Sequence, residues 1–253
     1  MTAVALPRPH ATRPSLTRLT AVELRKMTDT RAGFWLQLVV VALTVVVVGI
    51  VCIVGNDPDQ TLRELLNAAV QPASVLLPVM GVLLVTSEWT QRTTLITFTL
   101  VPHRSRVVVA KLAAAVVLSL AALAVAFVVA VVGTAIAAPS IADAWALPLG
   151  LLGQIVLVLA TGMIGGVAFG AVLLASAPAI VALFALPLAT GALGSIHALE
   201  GVARWVDSTR SLAPMTDHVM DGTEWARVGV TLAVWMVVPV LIGLWRIARS
   251  EVS

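Results

Sequence analysis

Charge is what this sequence most lacks. Only 11% of its 253 residues are Asp, Glu, Lys or Arg, where a soluble globular domain carries about 25%. Too little polar surface remains to face water on all sides. Cysteine is nearly absent as well: Cys52 is the one thiol, which excludes an internal disulfide framework. There are two lysines, and neither Arg25-Lys26 nor Ala110-Lys111 completes a G-x-x-x-x-G-K-S/T phosphate loop, so ATP hydrolysis by this chain is not expected. His10, His103, His197 and His218 lie far apart, without an H-E-x-x-H pattern or a cysteine partner, so a zinc cluster is not expected. Ser195 and His197 are two residues apart near a helix end. That spacing puts them on different sides of a helix, so a polar helix end is the preferred reading over a hydrolase pair.

What the chain does have is long apolar runs. It is 59% hydrophobic, with a mean hydropathy of +1.01. Residues 34–54 contain no charge and 15 Leu, Ile, Val or Phe, each favouring insertion at mid-helix by about 0.3 to 0.6 kcal/mol. Similar runs follow at 65–86, 112–137, 146–174, 179–199 and 228–247. At about 20 residues per crossing, these predict an all-α polytopic membrane protein with six transmembrane helices. Residues 146–199 are too long for one crossing, and Ser176-Ala177-Pro178 is the expected break, because proline lacks the donor that would continue a helix. A cleaved leader would have a shorter charged lead and a small-residue cleavage site, so the first run is expected to be retained.

The basic residues fall mostly on one face. Residues 1–33 carry six, the connection between the second and third runs carries Arg92, Arg104, Arg106 and Lys111, and the tail carries Arg246 and Arg249. The opposite connections have only Arg63, Arg204, Arg210 and Arg227, among nine acids. The positive-inside rule then puts both termini in the cytoplasm. Trp35, Trp89 and Trp245 on that side, with Trp145, Trp205 and Trp225 on the other, stand where interfacial aromatics are expected. The pI near 10 reflects this sidedness and a small excess of 16 basic over 13 acidic residues, so nucleic-acid binding is not expected. Only Gln71, Gln154 and scattered Ser and Thr lie at depth, which leaves a proton- or sodium-driven carrier nothing to titrate.

The connection at 87–111 is too long and too apolar for a turn. Leu95, Ile96, Phe98 and Leu100 alternate with Thr between flanking charges, as in a short helix lying across the membrane surface and ended by Pro102. A helix touching only anionic headgroups is the simpler alternative. In the fourth run Gly162, Gly166 and Gly170 fall at i, i+4 and i+8. Small residues at that spacing let helices approach closely, and internal packing is the favoured reading over a subunit surface. Pro72, Pro78 and Pro187 are expected to bend their helices. Residues 200–227 alternate apolar and charged positions, a pattern that a plain solvated loop accommodates.

Ser87-Glu88-Trp89, Gln91-Arg92-Thr93-Thr94, Leu100-Val101-Pro102, Arg106 and Lys111 together resemble the segment between the second and third helices of type-2 ABC transporter permeases. Glu23-Leu24-Arg25-Lys26, Asp29-Thr30-Arg31 and Phe34-Trp35 also resemble the lead-in of actinobacterial members. Thr93-Thr94 departs from the Gly-Thr pair usual there. The resemblance implies a permease subunit of an ATP-binding cassette exporter in the cytoplasmic membrane, paired with a second permease subunit, identical or not. ATP and magnesium would be bound by a separate ATP-binding subunit, with no cofactor in this chain. It implies an amphipathic elbow helix within residues 1–33 and a six-helix permease domain over 34–253, with short re-entrant helices in the outer connection 200–227, for which a plain solvated loop is the alternative. A coupling helix would dock on the ATPase through Glu88, Arg92, Thr94, Leu95 and Phe98, with Glu23 beside it. For Glu23 a capping box, Thr20-Ala21-Val22-Glu23, is the competing expectation. A membrane-embedded enzyme and a non-transporting sensor or assembly factor remain the alternatives.

Overall fold

In the computed structural model the described residues are 15–55, 60–90, 104–137, 143–194, 196–198 and 200–249, and they contain helices and no strand. Helix α1 (Leu16–Asp29) meets α2 (Arg31–Val54) at a tight corner. Thr30 makes that corner. Its N–H donates to the Lys26 carbonyl, closing α1, while its Oγ1 accepts from the Gly33 N–H at 3.2 Å, opening α2. A Cβ at position 33 would overlap the Met27 carbonyl, so the corner requires glycine. Gln37 then donates to that same carbonyl at 3.1 Å, satisfying a helix-end group that would otherwise lack a donor.

The remaining helices are α3 (Leu62–Thr90), α4 (Arg104–Ala137), α5 (Leu149–Leu173), α6 (Ser176–Leu193), three short helices α7 (Glu200–Val206), α8 (Ser208–Leu212) and α9 (Pro214–Asp217), and finally α10 (Gly222–Leu232), a π turn at Ala233–Val237 and α11 (Val238–Arg249). Among the described residues, five helices are long and apolar enough to cross a membrane: α2, α3, α4, α5 and the continuous run from α10 to α11. The run expected at 179–199 forms α6, whose 18 residues extend about 27 Å, just under a hydrocarbon core of about 30 Å.

α3 and α5 form the centre of the bundle and make its most extensive pairing. Along α5, Leu151, Ile155, Leu159, Met163 and Val167 are buried at every fourth position, opposite Leu65, Leu66, Val70, Met80 and Leu84 of α3. Glycine sets how closely the two helices approach. A Cβ on Gly166 would overlap the Pro78 carbonyl, and one on Gly81 would overlap the Met163 carbonyl. Gly162 and Gly170 face Pro78 and Val82 of the same helix, so the whole stripe packs within the chain. α2 lies at the edge, with Gly33, Val40, Thr44 and Val48 as its buried face.

Several expected boundaries move. α1 begins a turn before Thr20, with Ser15 as its cap, Oγ accepting from Arg18 N–H. Thr20 therefore sits inside the helix and donates to the Leu16 carbonyl at 2.9 Å, and no capping box forms with Glu23. α3 runs four residues past the expected end at 86, placing Glu88 inside the helix rather than in the connection. The break between α5 and α6 falls at Leu174, in a left-handed conformation (φ 55°), and Ala175. Pro178 stands in the first turn of α6, where its missing N–H would have had no helical partner.

Candidate functional site

Three helices meet at the α1 end of the bundle, and each brings charge into its interior. Glu23 and Lys26 lie on the inner face of α1, Glu88 in the last turn of α3, and Lys111 in the third turn of α4. Glu23, Glu88 and Lys111 are buried, and Lys26 is half-buried. The Lys111 ammonium donates to Glu23 Oε2 at 2.7 Å, to Glu88 Oε1 at 3.1 Å and to the Leu84 carbonyl at 2.9 Å. Those three bonds use all three of its protons. Lys26 Nζ donates to Glu23 Oε1 at 2.8 Å and to Glu88 Oε1 at 2.5 Å. Each Glu23 oxygen thus takes one lysine, and Glu88 Oε1 takes both.

The arrangement is electrically neutral, with two carboxylates and two ammoniums. A buried charge is tolerable only when paired and hydrogen-bonded, and here each ion has at least two partners. Burial by itself would push the Lys26 ammonium down from its ordinary value; the Glu23 and Glu88 carboxylates outweigh that and leave it raised. The four side chains fasten α1 to the end of α3 and the start of α4, the two helices that flank residues 91–103.

Of the sequence-predicted docking residues, Glu88 and Glu23 come together in this cluster, with their carboxylates turned to lysines of the same chain. Arg92, Thr94, Leu95 and Phe98 lie outside the described residues, as does Ser195. Lys26 and Lys111 were missed as site residues. A signal existed: they are the chain's only lysines, and each sits where a helix enters the apolar region. His197 is exposed and stands 3.7 Å from Glu200. Among the described residues no three His, Cys, Asp or Glu side chains gather to hold a metal.

The opposite end of the bundle is closed by a different device. Gln154 of α5, buried, donates to the Met215 carbonyl at 3.1 Å and the His218 carbonyl at 2.7 Å, and its Oε1 accepts from the Met220 N–H at 3.0 Å. Its one amide thereby holds the segment around α9 over the helix ends. Asp207 caps α8 through the N–H groups of Thr209 and Arg210, and Trp235 in the π turn donates to the Val206 carbonyl at 2.7 Å. Residues 200–217 are therefore a folded helical cap. Beneath α8 lies a cavity of about 450 Å³ walled by Pro78, Phe169, Phe184, Trp235 and their neighbours, with Thr and Ser hydroxyls and no charged side chain.

No family model matches the chain, and neither does any curated protein.

Proposed function

We propose that the chain is the membrane-spanning subunit of an ATP-binding cassette exporter of the type-2 class. It would work as one of a pair of permease subunits, with ATP bound and hydrolysed by separate partner subunits. In this reading α6 is the sixth crossing, shortened because the α7–α9 cap takes up the remaining thickness, and both termini face the cytoplasm. The observation that carries the proposal is the cluster of Glu23, Lys26, Glu88 and Lys111. It binds the amphipathic α1 and both helices flanking 91–103 into one mechanical unit, so a push on that stretch would reach the bundle rather than dissipate in a loose connection. ATP binding shifts such a bundle only if the partner holds its two states unequally. Rigid attachment at the docking stretch is what makes unequal holding possible.

The uncharged cavity beneath α8 favours a hydrophobic or amphiphilic cargo, since a charged one would enter without a counter-charge. A proton- or ion-driven carrier is disfavoured by the same chemistry: the cluster's ions are already paired at the helix ends.

Glu88 is a poor probe of docking, because replacing it leaves two lysines sharing the one carboxylate of Glu23. Phe98→Ala and Arg92→Ala are the informative variants. The tagged chain purified in mild detergent is expected to carry an ATPase subunit. Both variants should lower stimulation of that ATPase several-fold while the helical content and melting of the permease stay unchanged. Undiminished stimulation in both would remove the docking assignment. Solute movement by the purified chain alone, down an ion gradient without nucleotide, would remove the transporter class.

A further inference from the structure

One face of α3 is polar where an apolar face is expected. Asn67 and Gln71 stand one turn apart, with Gln71 exposed and its Nε2 donating to Asn67 Oδ1 at 3.3 Å. Both line an open cleft of about 450 Å³ between α3 and the end of α2, whose other wall includes Ile50 and Val54. Ala68 lines it too, and Pro72, four residues on, has no N–H to offer the Ala68 carbonyl.

Depth makes this costly. The 29 residues of α3 extend about 43 Å, so centring them on a hydrocarbon core of about 30 Å leaves about 7 Å outside at each end. Gln71 is nine residues from Leu62, about 13 Å along the axis, and so lies about 7 Å inside the core. A primary amide has two donors and an acceptor with two lone pairs, and the one bond between Asn67 and Gln71 leaves most of that capacity unmet. Lipid tails cannot meet it.

We propose that this face of α3 is where a second copy of the same chain packs, with Asn67 and Gln71 of one protomer pairing with Asn67 and Gln71 of the other about a two-fold axis. An amide face is its own complement, because each group both donates and accepts, and a two-fold interface sets a patch against itself. Asn and Gln hydrogen bonds of this kind join helices within membranes. Ile50 and Val54, 55% and 76% exposed, supply an apolar rim to the same surface. The pairing rests on the reading of the chain as half of a two-subunit permease, and it adds that the other half is identical and which face it meets.

The test is thiol cross-linking in membranes. In a Cys52→Ala background, Ala68→Cys and Ile50→Cys place a thiol on the two walls of the cleft without touching either amide, and Val117→Cys and Val128→Cys place one on the exposed side of α4. Oxidation should give cross-linked dimers from the two cleft positions, at least several-fold more than from the α4 positions. Asn67→Ala/Gln71→Ala should lower the dimer fraction in mild detergent. Equal cross-linking from α4 would overturn the interface as random collision. Ala68→Cys without cross-linking would also overturn it, assigning the face to an aqueous pathway if a membrane-impermeant maleimide labels it and to lipid if none does. The two readings fail separately. An ATPase that copurifies with a chain whose cleft thiols stay monomeric removes this interface alone, whereas cross-linking with no ATPase removes the permease reading alone.

Discussion

The two ends of the bundle are closed by opposite chemistries. At the α1 end, two carboxylates and two ammoniums share a buried site; at the far end, one neutral amide holds two carbonyls and an N–H. Each solves the same problem, fixing a short amphipathic segment across the ends of long apolar helices. They differ in how they fail. Removing one ion leaves the others unbalanced in a low dielectric, while removing the amide leaves only dipoles without partners. The α1 end is therefore expected to be the more fragile to a single substitution.

Lys111→Met tests that difference at its largest. It removes the ammonium that joins Glu23 to Glu88 and leaves two buried carboxylates sharing Lys26. Breaking a buried ion pair from one side costs about 3 to 5 kcal/mol, so the melting temperature in detergent should fall clearly. Trypsin should cut at Arg18 and Arg25, both exposed on α1, much faster than in the parent. Adding Glu23→Gln removes the surplus negative charge and should restore most of the loss, a coupling that a double-mutant cycle measures directly. Independent, additive effects of the two substitutions would mean that α1 is held by packing at Met27 and Leu24 rather than by charge.

At the far end Gln154→Ala should cost less, about 1 to 3 kcal/mol for the polar groups it strands. Its effect should stay local: amide exchange speeds up around Met215 to Met220 while α1 keeps its resistance to trypsin. A loss as large as that of Lys111→Met would erase the contrast between the two ends.

Most of the helical layout could be read from the sequence because a chain this poor in charge announces its apolar runs. The glycine stripe of α5 was legible for a similar reason, since i, i+4, i+8 periodicity is local. Neither latch was. Glu88 read as a residue of the 87–111 connection because the apolar run weakens after Thr86, but α3 continues through it, since Lys26 and Lys111 supply the counter-charge that lets a carboxylate stay inside. Those partners lie 62 and 23 positions away in sequence, and no periodicity links them. Gln154 looked like an inert polar residue at depth for the same reason, its three partners lying more than 60 residues on. Thr20 misled in the opposite way. A local capping pattern was present, but Ser15 offered a cap one turn earlier, and the longer helix won.

The smallest expected effect is that of pH, and its sign follows from the cluster's composition. Its two cations are lysines and its two anions glutamates, so it holds no histidine, the side chain whose ordinary pKa falls between about 5 and 8. The Glu23 and Glu88 carboxylates hold the Lys26 ammonium above its ordinary value of 10.5. A cation whose folded pKa exceeds its unfolded one contributes in full below the unfolded value and loses that contribution only as pH climbs through the folded one. Lys26 should therefore support the docking of α1 unchanged from about pH 6 to 9 and weaken it only on the alkaline side of 10.5. Tryptic cleavage of α1 measured across that range should be flat, once corrected for the protease's own profile. A transition near neutrality would show that a group other than Lys26 controls the docking of α1, and with it the pH-independence expected of the charged end would fall.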